Sequence, residues 1–208
     1  MKDSSDWKDR LEYAKKEVSD ACNVVSNAGL TELYAGHVSS RIGDIALIPA
    51  HLHHEGRGME SMTPDQIISI DLETGEQEPK NLELPEEDTI HTSIFSVRDD
   101  VKSCVHAHPV HATALSMTDS SIIPASIRAV RLGEVPVHDA GPMLIEAKAP
   151  VEIARGEAVA KSLGNASCLL IRGHGVVTVG RTVAEAVSRL FILERAAHLQ
   201  MLATLGGG

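Results

Sequence analysis

The stretch His106-Ala107-His108, with Pro109 behind it, constrains this chain more than any other. Side chains two apart on a strand point to the same face, so both imidazoles are presented together. That is the spacing of metal ligands, and neutral imidazoles suit a first-row divalent ion such as Zn, Mn, Fe or Co. Two imidazoles do not hold such an ion unaided. The fold therefore has to bring a third ligand to this strand from elsewhere in the chain.

The candidate is His174. Cys168 to Ile171 reads as a buried strand and Gly175 to Val179 as its hairpin partner, with Arg172-Gly173-His174 at the turn. Glycines on both sides of His174 clear room for the backbone to approach an ion or a substrate. Taken alone, the same residue serves equally well as the cap of a hairpin. A carboxylate comes from Glu86-Glu87-Asp88-Thr89-Ile90-His91. Read as a helix from Glu86 to Val97, this segment puts Glu87 and His91 four apart on one face and leads directly into the His106 strand. Beside a cation such a carboxylate is either a ligand or a proton shuttle. An acidic helix start is also what the helix dipole favours by itself.

Composition narrows the class. A chain of 208 residues is long enough for a proper core and is read as one domain, 1–208. Its net charge of −10, with no Lys/Arg run, argues against a nucleic-acid partner. No apolar run reaches bilayer length, so no membrane role is expected. The polar start, Met1 to Asp9, reads as neither signal nor transit peptide. Cys22, Cys104 and Cys168 are odd in number and unpatterned, which fits free thiols in a reducing, cytoplasmic setting. Most of the 11 histidines lie between His37 and His111.

Around these candidates the chain alternates helices and strands. Leu11, Ala14, Val18, Ala21 and Val25 mark one face of a helix from Ser5 to Asn27. A hairpin follows, with strands Ala35 to Arg41 and Ile45 to Ile48 turned by Gly43-Asp44. Pro49 to Met62, carrying His51, His53, His54, Glu55 and Arg57, has no period and reads as a functional loop. Ile67 to Leu72 is a strand, Val110 to Met117 a short helix, and Ser120 to Pro142 mostly short extended pieces. Val151 to Leu163 is helical. Thr182 with Glu185 three residues on is a capping box for a last helix with the stripe Val183, Ala186, Leu190, Leu193 and Ala197. Strands in antiparallel pairs with helices around them predict an α/β sandwich over one largely antiparallel sheet.

Glu87-x-x-x-His91, His106-Ala107-His108-Pro109 and Gly173-His174-Gly175, in this order, resemble the class II aldolase and adducin head-domain family. Gly36-His37-Val38-Ser39-Ser40-Arg41 is similar to that family's Gly-Asn-(Ile/Val)-Ser-x-Arg apart from His37, and Thr63-Pro64-Asp65 to its Thr-Pro-Glu/Asp. The resemblance spans roughly Leu11 to Gln200. It implies a three-layer α/β/α sandwich around a central, mainly antiparallel sheet, assembled as a homotetramer with active sites near subunit interfaces. It implies one divalent metal ion per subunit on His106, His108 and His174, with Glu87 as a further ligand or acid/base.

The departures shape the expected chemistry. Sugar-phosphate aldolases of the family hold phosphate with Asn, a Thr-Gly or Ser-Gly loop and a Ser-Ser pair; here those positions read His37, Pro49-Ala50-His51 and Pro85-Glu86. A glutamate facing a phosphate is electrostatically unfavourable. The tyrosine some family aldolases bring from the C-terminal tail is missing as well, since none follows Tyr34. The expectation is a metal-dependent lyase decarboxylating a non-phosphorylated, hydroxylated aromatic acid, as branch members resembling dihydroxyphthalate decarboxylases do. Glu87 or His91 would supply the proton. His37, Ser39, His51 and Arg57 are the candidate substrate contacts, with Arg128 and Arg131 as lesser ones. Rival readings are an aldolase on a small hydroxy-oxo acid or sugar, a non-haem iron oxygenase, and a non-catalytic adducin-like scaffold.

Overall fold

The computed structural model describes residues 4–32, 35–53, 56–139 and 149–207. His54 and Glu55 of the histidine-rich loop, Tyr34, and the end of the Ser120 to Pro142 stretch lie outside these residues. The elements are α1 (Ser4–Asn27), β1 (His37–Ile42), β2 (Ile45–Pro49), β3 (Ile67–Asp71), β4 (Gln77–Glu78), α2 (Asp88–Val97) and β5 (Ser103–Ala107). They continue as α3 (Val110–Ser116), β6 (Val137–His138), α4 (Ala149–Leu163), β7 (Cys168–Ile171), β8 (Gly175–Gly180) and α5 (Val183–Leu205).

The strands form one eight-stranded sheet in the order β4-β3-β2-β1-β5-β8-β7-β6. Every pairing is antiparallel except β6 with β7. The α/β architecture over one mainly antiparallel sheet expected from the sequence is therefore present. Strand β5 lies at the centre, paired with β1 on one side and β8 on the other, and is buried along its whole length. That explains its lack of apolar/polar alternation, because helices cover both faces of the sheet.

Alternation along β1 separates the two layers. Ser39 bonds to His91 of α2, so α2 covers the face to which Ser39 and His37 point. Helices α1 and α5 pack on the sheet as well, through Val18, Cys22 and Val25 of the first and Ala186, Leu190, Leu193 and Ala197 of the second, all buried. Thr182 Oγ1 accepts from the Glu185 backbone N–H as expected, but the Glu185 carboxylate accepts from the Arg181 N–H rather than from Thr182. The three cysteines are buried free thiols, and burial pushes Cys22 and Cys168 up to about 12.

Two expectations need correcting. The helix read from Glu86 begins at Asp88; Glu87 is its N-cap, with φ −114° and ψ 26°. Pro85 and the two following carboxylates favour a chain that enters the helix rather than one already in it. In the Ser120 to Pro142 stretch, read as mostly extended, Ala129–Leu132 is a 3-10 turn. The two-residue strand β4 was not foreseen, being too short to show a period.

Candidate metal centre

The end of β5, the β7-β8 turn and the N-terminus of α2 meet at one place. His106 closes on it from the strand, fully buried, with its Nδ1–H directed at the Val176 carbonyl 3.0 Å away. This bond to the neighbouring strand fixes the ring and leaves Nε2 with its lone pair facing outward. His108 Nε2 lies 3.0 Å and His174 Nε2 3.2 Å from that atom. The Glu87 carboxylate completes the group, with Oε2 2.9 Å from His106 Nε2 and Oε1 3.4 Å from His174 Nε2.

Gly175 is what lets the turn close onto β5. A Cβ there would lie 2.5 Å from the Ala107 carbonyl oxygen and 2.5 Å from Cδ2 of the His108 ring, so any larger residue would push His174 and His108 apart.

One ligand atom from each of Glu87, His106, His108 and His174 lies within 4.8 Å of all the others. Burial, then the neighbouring His106 and His174 rings, push His108 down to about 3, so it is a neutral donor at ordinary pH. Burial opposes ionisation of Glu87, but the His106 and His174 contacts outweigh it and hold the carboxyl well below the usual carboxylate range. Three imidazole nitrogens and an ionised carboxylate, converging on one point, fit a divalent cation. Three nitrogens and one oxygen suit a catalytic rather than a closed structural site.

His91 sits behind this group rather than in it. Its Nδ1 is 2.7 Å from Ser39 Oγ, and that hydroxyl also lies 3.3 Å from the Cys104 carbonyl oxygen. If the hydroxyl donates to the carbonyl, it accepts from His91 Nδ1–H. Burial, then His106, lowers His91 to about 3. Glu87 and His91 do not share a helix face, because Glu87 precedes the helix and turns toward His106. His37 fills the space between: its ring centroid is 5.8 Å from that of His91 and 6.1 Å from that of His106.

Beside Glu87 opens a cavity of about 450 Å³, lined by Glu32, Ala35, Gly36, His37, His51, His53, Glu86 and Glu87. Of the expected substrate contacts, His37 and His51 line it. Ser39 does not; it is fully buried against His91 and the β5 backbone. Arg57 does not line it either, and its guanidinium donates to the Ser61 backbone and hydroxyl oxygens. Arg128 and Arg131 border a separate surface hollow with Phe191 of α5.

The residues at the donor site follow the order and spacing of one family, and the class II aldolase and adducin N-terminal domain matches residues 16–201. The chain belongs to that family. Among its relatives, the 3,4-dihydroxyphthalate decarboxylase of Arthrobacter keyseri is 28% identical over 205 residues, covering 94% of this chain and 80% of that protein. Rat gamma-adducin is also 28% identical over 214 residues, but this class II aldolase-family chain spans only 29% of its length. The crystal structure of l-fuculose-1-phosphate aldolase from Thermus thermophilus superposes with a TM-score of 0.77 at 25% identity, covering 96% of this chain and 97% of that one.

Sequence reasoning missed Arg155, whose Nη1 is 3.0 Å from Glu87 Oε1. A signal existed. Arg155 precedes Val159 and Leu163 at intervals of four, on the face of α4 that is buried. An arginine on an apolar stripe has to find a carboxylate or carbonyl. His53, noted before only as one of the loop's polar groups, also joins the cavity wall. Among the described residues, no helix is long and apolar enough to cross a membrane.

Proposed function

We propose that this protein is a divalent-metal-dependent carbon–carbon lyase that decarboxylates a non-phosphorylated, hydroxylated carboxylic acid. The observation that carries the reading is the composition of the cavity. It reaches the donor group at Glu87, yet its wall offers imidazoles and the extra carboxylate of Glu86 where a phosphate would have to be cradled. The likeness to dihydroxyphthalate decarboxylases supports the same choice of reaction and an aromatic substrate.

A divalent ion held by these four side chains would supply a Lewis acid for the charge that develops beside the breaking bond. The protein's own groups do the rest. His37 and His51 hydrogen-bond the substrate's carboxylate and hydroxyl oxygens and fix which bond faces the donors. The carbon–carboxylate bond breaks, carbon dioxide departs, and the electron pair stays on the ring carbon. Glu87, which faces the cavity as an ionised carboxylate, orients the water that gives its proton to that carbon. His91, sealed behind His37, holds the wall in place. The homotetramer and the cytoplasmic location expected from the sequence belong to this proposal too.

An aldolase is the second reading, favoured by the likeness to l-fuculose-1-phosphate aldolase. To test the first, the protein reconstituted with Zn, Mn, Fe or Co is incubated with hydroxybenzoates, dihydroxyphthalates and 3-oxo acids. Carbon dioxide release absent from H106A is the expected result. Aldehyde formation without carbon dioxide would replace the decarboxylase with the aldolase.

A further inference from the structure

We infer that Arg155 is the positioning residue for Glu87, and that helix α4 carries it there through a contact built into the α2-α4 crossing. The inference deepens the lyase reading, because it concerns the same donor site.

The geometry is asymmetric. Glu87 Oε1 is tied to the Arg155 guanidinium at 3.0 Å and lies farther, 3.4 Å, from His174 Nε2, while Oε2 faces His106 Nε2 at 2.9 Å. Arg155 is itself 7% exposed, so the pair is formed out of water, where a charged hydrogen bond is strong and directional. Glu87 occupies a helix N-cap with no side-chain capping bond of its own to hold it. A glutamate so placed has three rotatable bonds and no local reason to point at His106. Arg155 supplies that reason from a different element.

The crossing of α2 and α4 is fitted to deliver it. Thr89 Oγ1 donates to the Glu152 carbonyl 2.9 Å away, pinning one turn of α4 to the first turn of α2. At Gly156, next to Arg155, the helices approach so closely that a Cβ would sit 2.4 Å from the Thr89 carbonyl oxygen and 2.7 Å from Ser93 Oγ. Only glycine permits this distance. The residue that closes the crossing and the one that reaches Glu87 are neighbours in sequence, so the docking of α4 and the orientation of the carboxylate are one feature.

The test measures Co²⁺ affinity, by competition with a chromophoric chelator, for the wild type, R155M, R155K, E87Q and E87Q/R155M, with thermal unfolding in parallel. R155M is expected to bind Co²⁺ about 10- to 100-fold more weakly, the range for loss of a group that orients a ligand. R155K should recover part of the loss, keeping the charge without the planar fork. In the E87Q background, R155M should weaken binding no further, because Arg155 acts through Glu87. Wild-type affinity in R155M, or effects that multiply in the double variant, would overturn the inference. If R155M does not fold, the same cycle built on R155K decides by the same criterion. No substrate enters the measurement, so the outcome stands whether or not the protein proves to be a decarboxylase.

Discussion

His106 Nε2 lies 2.9 Å from Oε2 of Glu87, although one residue belongs to the central strand and the other precedes a helix nineteen residues earlier in the chain. The buried imidazole is held from behind by Val176, and the carboxylate comes to meet it. With both partners fixed, replacing His106 by alanine removes the donor nearest the carboxylate and breaks the convergence. H106A should lose stoichiometric divalent metal and reduce turnover about 10³-fold, the scale of several kcal/mol of charge stabilisation. Metal analysis after dialysis, alongside carbon dioxide release, checks it. Turnover retained without bound metal would show that the donors are not the reaction centre.

The α2-α4 crossing gives a prediction about stability. A methyl at position 156 would meet the Thr89 backbone, which cannot swing aside as a flexible side chain would. G156A should therefore cost about 1–3 kcal/mol, the usual range for overpacking, despite alanine's better helix propensity. Urea unfolding measures this. An unchanged or raised midpoint would show that α4 shifts freely, and the fixed crossing would have to be abandoned.

Much of this was legible beforehand for a physical reason. His106, His108 and His174 carry their signal locally, in strand spacing and in a glycine-flanked turn, and backbone pairing then brings the two segments together. Hydrophobic period fixed α1 and α5 in the same way. What stayed hidden depends on contacts between elements. Whether Ser39 faces a cavity or a helix is decided by which layer α2 occupies, and Arg57 is retained by Ser61 four residues on. Glu87 as a cap rather than a helical residue was beyond periodicity, since the period is the same one residue either way.

Acid should act through the buried histidines. His91 and His108 both titrate near pH 3 in the folded protein, lowered mainly by burial, against about 6.5 when exposed. The unfolded chain therefore binds more protons than the folded one between those values. The stability these neutral rings contribute is complete above about pH 6.5 and declines as pH falls toward 3. Glu87, also depressed, adds to the decline below the ordinary carboxylate range. Denaturant midpoints measured with chelator present at pH 8, 6.5 and 5 should fall in that order, and H91Q, which cannot titrate, should fall less steeply. Parallel profiles for the two proteins would remove His91 as a source of acid sensitivity.

The cavity separates the candidate substrate contacts from one another. His51 lines it and Arg57 does not, its guanidinium being engaged by Ser61. H51A should therefore raise KM about 10-fold, the equivalent of one lost hydrogen bond to a charged group, while leaving metal content and thermal stability near wild type. R57A should leave KM within about twofold and act, if at all, on the stability of the loop around Ser61. H37A should differ from both, because that ring borders the cavity while packing against His91 and His106, so KM and stability should change together. Steady-state kinetics and thermal unfolding on the three variants distinguish these patterns. A large KM effect in R57A with none in H51A would mean that the substrate enters from the far side of the loop, and that the cavity in front of Glu87 is not where it binds.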